Sequence, residues 1–193
     1  MDLILDVDTQ NDFMKPDGAL YVQGAKEIIP NIKKLLSRMY LPIISTVDEH
    51  ERDDKEFETF PKHCVIGSFG SLKISDTMVY DQNFVSYADK DGFTDKQINN
   101  SKQFIVAKKT YNVWDEELGN PTAMDHVLAY FNPDTVHVIG VASEICVLAG
   151  VIGLAKRVQS IVLHTDCMKG LTEEAEQKAI SEMVAIGNVW LEA

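Results

Sequence analysis

Three chemically reactive side chains, Asp8, Lys108 and Cys146, each follow a run of apolar residues that is typical of a buried strand. Because parallel strands present their carboxyl ends at one edge of a sheet, we expect these side chains to meet there. A carboxylate can take the proton of a thiol and later give it to a leaving amine, while a neighbouring ammonium favours both anions. The three residues therefore predict a site for nucleophilic attack by sulfur.

The nucleophile candidate lies in the stretch 135–153, TVHVIGVASEICVLAGVIG, which begins as a β-branched strand, meets Gly140 and continues as an apolar helix. Ser143 is predicted to be the N-cap of that helix, which puts Cys146 at its third position. Unsatisfied N–H groups and the positive end of the helix dipole favour thiolate over thiol there. The alternative is an inert cysteine that packs like a small apolar residue.

A second group of polar side chains follows the strand that ends at Val47. Asp48 and His50 come directly after it, and Glu56 and His63 are nearby in the sequence. Two histidines and two carboxylates suit a zinc, manganese or iron ion. Spacing alone leaves open that this acidic loop simply faces solvent.

The elements that must position these residues alternate along the chain. Strands are predicted over 3–8, 42–47, 103–107, 135–139, 160–164 and 188–191, and helices over 25–39, 122–131, 144–157 and 172–185. This alternation predicts an α/β fold, a three-layer α/β/α sandwich around an open, mainly parallel sheet of about six strands. For residues 71–101 the sequence predicts only a short helix or a hairpin around 79–88. Asp6 is unusual, because a carboxylate inside a buried strand needs a partner that the sequence does not identify.

Composition limits the classes of protein to consider. With 193 residues, 45% of them hydrophobic, the chain is predicted to form a single domain over residues 1–193. A net charge of −12 opposes binding to nucleic acid, and no apolar run approaches the ~20 residues that cross a membrane. We expect no secretory signal, and Cys64, Cys146 and Cys167 make no disulfide framework, so a cytoplasmic location is expected. Assembly into a homo-oligomer stays open.

Five motifs in this order resemble the isochorismatase-like cysteine hydrolases and, within them, the nicotinamidases. The resemblance runs from Leu3 to about Gly170. The motifs are Asp8-Thr9-Gln10-Asn11-Asp12-Phe13, Asp48-Glu49-His50, Pro61-Lys62-His63-Cys64-Val65-Ile66-Gly67, Lys108-Lys109-Thr110-Tyr111 and Gly140-Val141-Ala142-Ser143-Glu144-Ile145-Cys146-Val147. Each motif is a modest signal alone, and their shared order makes the resemblance specific.

The resemblance implies a role for each matching position. Asp8, Lys108 and Cys146 match the catalytic triad of the family. The bond between Val141 and Ala142 matches a cis peptide that turns backbone donors toward an oxyanion, with the N–H groups of Ala142 and Cys146 as those donors.

The resemblance also implies one divalent metal ion, with zinc expected before manganese or iron. Asp48, His50 and His63 match three ligands of nicotinamidases. Glu56 is the expected fourth ligand, and Glu58 is the alternative. Family members without the metal, such as isochorismatases, do not show this pattern, which therefore favours a nicotinamidase.

The implied reaction is the hydrolysis of nicotinamide, a small-molecule amide, to nicotinate and ammonia through a thioester, as in NAD salvage. Phe13 and Phe60 match positions that flank the pyridine ring, or they are core residues. Two departures from the family, Asp6 at a usually apolar position and Lys62 in place of a proline, do not touch the triad. Because residues 71–101 match nothing in the family, two alternatives stay open: an amidase for another small amide or a carbamoyl or ureido compound, and a catalytically silent metal-binding or partner-binding relative.

Overall fold

A parallel β-sheet of seven strands forms the centre of the protein, whose computed structural model describes residues 1–193. The strands are β1 (Leu3–Val7), β2 (Ile43–Asp48), β3 (Gln82–Val85), β4 (Gln103–Lys108), β5 (Thr135–Val141), β6 (Ser160–Lys169) and β7 (Val189–Glu192). They lie in the order β3-β4-β2-β1-β5-β6-β7, and every neighbouring pair is parallel. The predicted α/β fold is therefore confirmed, with seven strands rather than about six.

Helices cover both faces of the sheet. They are α1 (Asn11–Met14), α2 (Ala25–Met39), α3 (Asp95–Asn99), α4 (Pro121–Phe131), α5 (Leu148–Leu154) and α6 (Glu173–Val184). On one face Ile4 of β1 packs in a core with Ile28 and Ile32 of α2. On the other face Leu5 shares a larger core with residues of α4, α5 and α6, among them Val127. No helix combines the length and the apolar character that crossing a membrane requires.

Strand β3 is the element that the sequence did not predict. It pairs with β4 in parallel, with Gln82 opposite Gln103 and Val85 opposite Val106, so the expected helix or hairpin around 79–88 is wrong. Only Val85 among its four residues is buried. An edge strand with one buried side chain shows no apolar alternation, which explains why the pattern was missed.

The buried carboxylate of β1 has a partner from a distant loop. Lys73 Nζ lies 2.7 Å from Asp6 Oδ2, and both side chains are almost fully buried. The hydroxyls of Thr9 and Ser45 donate to the same carboxylate at 2.9 and 3.2 Å. Asp6 is thus paired and hydrogen-bonded, as a buried charge must be.

The strand order reverses beside β1, because successive strands lie toward β3 on one side and toward β7 on the other. In open α/β sheets, ligands bind outside the carboxyl ends of the strands at such a point. Gly140 of β5 allows the two central strands to approach closely, since a Cβ there would overlap the carbonyl oxygen of Val7. Gly140 also has a φ of +118°, a backbone conformation that favours glycine.

Candidate active site

Asp8, Lys108 and Cys146 lie together at the carboxyl edge of the sheet. Lys108 Nζ is 2.8 Å from Asp8 Oδ2 and 3.8 Å from Cys146 Sγ. Thr46 at the end of β2 donates a 2.6 Å hydrogen bond to Asp8 Oδ1 and fixes the carboxylate from the other side. The acid, the ammonium and the sulfur that the sequence places on β1, β4 and the segment after β5 therefore share one site.

The lysine of this group stays charged although it is buried. Its side chain is 1% exposed, which disfavours the ammonium, but the carboxylates of Asp48 and Asp8 outweigh burial and raise the pKa of Lys108 well above its usual value. Lys108 Nζ is also 2.7 Å from Asp48 Oδ1. One cation thus joins the group that contains the thiol to the second polar group.

The backbone around the thiol differs from the prediction. A π-helical segment begins at Ser143, its N-cap is Ala142, and Ser143 Oγ is buried without a hydrogen-bond partner, so the predicted Ser143 cap is wrong. The N–H groups of Ile145 and Val147 donate to the Ala142 carbonyl at 3.1 and 3.2 Å instead. Cys146 is consequently the fourth residue of the segment, one place later than expected.

The electrostatics of the thiol also differ from the prediction. Burial raises the pKa of Cys146 well above its usual value; Lys108 lowers it, and the carboxylates of Asp8 and Asp48 raise it further. Desolvation therefore favours the thiol, whereas the helix terminus was expected to favour the thiolate. A base is needed to generate the nucleophile.

The second polar group converges on one point. Ligand atoms of Asp48, His50, Glu56 and His63 all lie within 4.8 Å of one another. The Nε2 atoms of His50 and His63 are 3.4 and 3.5 Å from Asp48 Oδ2, and 4.0 and 3.9 Å from Glu56 Oε1. The alternative Glu58 is exposed and lies outside this group.

This donor set fits a divalent cation. His50 is fully buried, yet its Nε2, which faces the cluster, has no hydrogen-bond partner, and a buried polar atom without a partner calls for a ligand. Burial and then the neighbouring Asp48 carboxylate raise the pKa of Glu56, because negative charges meet here. Two imidazole nitrogens and two carboxylate oxygens are ligands for zinc, manganese or iron.

A cavity of about 690 Å³ opens in front of both groups and has mostly apolar walls. Phe13 and Phe60 line it, and their ring centroids lie 5.5 and 6.4 Å from that of His63. Val141 and Ala142 also line it, and the peptide bond between them is cis. The volume is within the range of small-molecule sites.

Comparison with known proteins identifies the family. Residues 2–193 match the model of the isochorismatase domain. The chain belongs to the isochorismatase family. This family member is 25% identical to the nicotinamidase of Saccharomyces cerevisiae, in an alignment that covers 91% of each protein. It is 23% identical to an Arabidopsis thaliana protein named a probable inactive nicotinamidase, over 95% of this chain and 88% of that one.

A solved structure shows the same fold. The pyrazinamidase of Pyrococcus horikoshii in complex with zinc aligns with a TM-score of 0.76 and 23% identity, over 99% of this chain and 98% of that one. Together with the family match, these relatives confirm the resemblance to nicotinamidases inferred from the five motifs.

In this isochorismatase-family protein, a loop brings the two histidines together. The His50 N–H donates to the Cys64 carbonyl at 3.1 Å, and the Ile66 N–H donates to the His50 carbonyl at 2.9 Å. Asp12 Oδ2 accepts the N–H of Cys64 at 2.7 Å. The backbone beside His63 is therefore attached to the end of β2, so the two imidazoles face each other.

Sequence reasoning missed Gln10, which holds the metal-ligand candidate Asp48 in place. Its amide donates from Nε2 to the Asp48 carbonyl at 2.8 Å and accepts the Asp48 N–H on Oε1 at 2.7 Å. Gln10 is fully buried. The signal in the sequence was a long polar residue two places after the predicted strand 3–8, because such a side chain needs partners if it is buried.

Proposed function

We propose that the protein is a metal-assisted amidohydrolase that converts nicotinamide to nicotinate and ammonia. One observation carries this proposal: Lys108 contacts both Asp8, beside the thiol, and Asp48, in the four-ligand group, at 2.8 and 2.7 Å. Cys146 and three of the candidate ligands, Asp48, Glu56 and His63, also line the same cavity. The name of the yeast relative supports the substrate, and the zinc in the Pyrococcus pyrazinamidase supports the metal.

The chemistry begins with proton transfer, since burial favours the thiol form of Cys146. Asp8 takes the proton of Cys146, and the sulfur attacks the carboxamide carbon. The N–H groups of Ala142 and Cys146 hold the oxyanion. Its collapse forms a thioester and breaks the C–N bond, and Asp8 gives its proton to the departing ammonia. Water then attacks the thioester with Asp8 as base, which releases nicotinate and restores the thiol.

Substrate orientation comes from the second group and from the apolar walls. Asp48, His50, Glu56 and His63 would hold the ion, which supplies a Lewis acid for the pyridine nitrogen. Phe13 and Phe60 lie beside His63 and are placed to flank the ring. Lys108 balances the negative charges of Asp8 and Asp48.

The charge of the cavity supports a neutral substrate. Acidic residues outnumber basic ones among those that line it. The acidic residues are Asp48, Asp54, Glu56 and Glu144, and the basic residues are Lys55 and Lys109. Lys109 is already engaged, because its Nζ lies 3.3 Å from Asp54 Oδ2. This balance disfavours a substrate that carries carboxylates and favours an uncharged amide.

Release of ammonia from nicotinamide tests the proposal. We expect turnover by the purified protein, its loss after chelation, and its return with zinc, manganese or iron. Pyrazinamide and a set of ureido compounds, assayed beside nicotinamide, measure preference among small amides. If nicotinamide is not hydrolysed with any of the three metals, the proposed function is wrong.

A further inference from the structure

We propose that Asp54, which is not one of the four candidate ligands, positions both His50 and Glu56 for the metal. The proposal rests on the metal group of the proposed function. Asp54 lies in the loop between β2 and the segment that carries His63, outside the five motifs. Its carboxylate faces the ring of His50 on the side away from the ligand cluster.

The two oxygens of Asp54 contact different parts of the metal group. Oδ1 accepts the backbone N–H of Glu56 at 3.1 Å and so caps the short 3₁₀ helix Lys55–Glu58. Oδ2 lies 3.3 Å from His50 Nδ1 and 3.3 Å from Lys109 Nζ. One carboxylate therefore links two candidate ligands.

The contact with His50 decides which ring nitrogen can bind a cation. A neutral imidazole carries one proton, and Nε2 is free to bind a metal only when that proton is on Nδ1. A carboxylate oxygen 3.3 Å from Nδ1 stabilises that tautomer, because its negative charge attracts the N–H. His63 has an equivalent arrangement, because its Nδ1 lies 2.8 Å from the Pro61 carbonyl oxygen. Each histidine thus has an acceptor behind it and the cluster in front.

Lys109 holds the carboxylate in this place. Its Nζ contacts Asp54 and lies over the ring of Tyr87, 5.7 Å from the centroid. The preceding residue, Lys108, contacts the candidate triad. Lys108 thus joins the triad to Asp48, while Lys109 contacts the carboxylate behind His50.

The substitution Asp54→Asn changes the contact with His50 and keeps the hydrogen bond to the Glu56 N–H. Asparagine is a good N-cap, so its Oδ1 can keep the bond to the Glu56 N–H. The NH₂ group of the asparagine then faces His50 Nδ1 and favours the tautomer that carries the proton on Nε2. A protonated Nε2 cannot bind a metal ion. We expect zinc affinity, measured by calorimetric titration of the apoprotein with zinc alone, to fall about 10–100-fold. The melting temperature of the apoprotein should stay unchanged.

The matched control is Asp53→Asn, which removes the same charge from an exposed neighbour. It should bind zinc like the wild type. Nitrogen-15 spectra of the histidine rings should show the His50 proton on Nδ1 in the wild type and on Nε2 in Asp54→Asn. Equal zinc affinity of Asp54→Asn and wild type would overturn the positioning role. Tight zinc binding by a wild type that does not hydrolyse nicotinamide would overturn the proposed substrate and leave the role of Asp54 standing.

Discussion

A single buried lysine, Lys108, determines the charge state of the site. It balances Asp8 and Asp48 at 2.8 and 2.7 Å and lies 3.8 Å from Cys146 Sγ. Because its side chain is 1% exposed, water cannot replace it as a partner of the two carboxylates. Desolvation also raises the pKa of Cys146, so the site needs a proton transfer to form the nucleophile.

Replacing this cation should disable both halves of the site. In Lys108→Met, Asp8 and Asp48 lose their shared counter-charge. Burial raises the pKa of Asp48 and Lys108 lowers it, so loss of the lysine favours the protonated acid, which is a poor ligand. We expect kcat/KM for nicotinamide to fall about 10³-fold or more. Calorimetric titration should also show weaker zinc binding, whereas the exposed Lys102→Met should behave like the wild type. Wild-type values in Lys108→Met would contradict this account.

The role of the Cys146 thiol can be tested with Cys167 as a control. Cys146→Ala should abolish ammonia release while the protein stays folded, because no other sulfur reaches the cavity. Cys167→Ala should stay active, since burial raises the pKa of Cys167 to about 12 and makes this core thiol inert. Ammonia assays and circular dichroism of both variants check this. Substantial turnover by Cys146→Ala would rule out the covalent route.

Strand β1 is the element on which both cores depend. Leu3, Leu5 and Val7 face the larger core, while Ile4 faces the core that contains α2. Asp6 takes the next position on the side of Ile4, where an apolar residue would be expected from the alternation of the strand. The contact with Lys73 makes this substitution tolerable and attaches the loop 71–74 to the sheet.

Breaking the buried pair should destabilise the fold. Lys73→Met leaves the Asp6 carboxylate without its cation, which costs about 3–5 kcal/mol of unfolding free energy. The double variant Asp6→Asn with Lys73→Met should recover part of that loss, because no charge stays buried. Urea denaturation of the wild type, both single variants and the double variant gives the coupling energy. Additive losses would show that the two residues stabilise the protein independently.

At the scale of the whole molecule, topology gathers the site. The central strands run β4-β2-β1-β5, so the ends that carry Lys108, Asp48, Asp8 and the segment with Cys146 are neighbours in space. On the β5–β6 side, His137 Nδ1 and His164 Nε2 lie 2.9 Å apart and both residues are buried. In this contact one ring nitrogen donates and the other accepts. Protonating the acceptor removes the hydrogen bond and therefore opposes folding.

This pair predicts how stability depends on pH. Burial, and then the nearby His137, lower the pKa of His164 in the folded state. The folded protein therefore binds fewer protons than the unfolded chain, whose histidines titrate near ~6.5. The contribution to stability is complete above that pH and is lost as the pH falls through the lower folded value. Between pH 7.5 and 5.5 the melting temperature of His164→Gln should fall less than that of the wild type in scanning calorimetry; equal falls would contradict the assignment.

The fold class and most residues of the candidate site could be predicted from the amino-acid sequence. Alternating apolar strands and helices allow few arrangements other than a parallel sheet covered on both faces. Polar residues at strand ends, such as Asp8, Asp48 and Lys108, must then lie at one edge, whatever the details of the loops. The predicted site residues were found together for that reason, while their catalytic roles stay proposals that the variants above test.

The contacts between distant segments and the cost of burial became visible only in the folded structure. Strand β3 exists because β4 offers an open edge, not because its own four residues show a pattern. Lys73 contacts Asp6, and Asp54 contacts His50, because of the paths of their loops. No local sequence pattern specifies these paths. The protonation of Cys146 depends on desolvation, which comes from the packing of the whole chain. Local sequence determines the elements, but the environment of each charge is a property of the assembled fold.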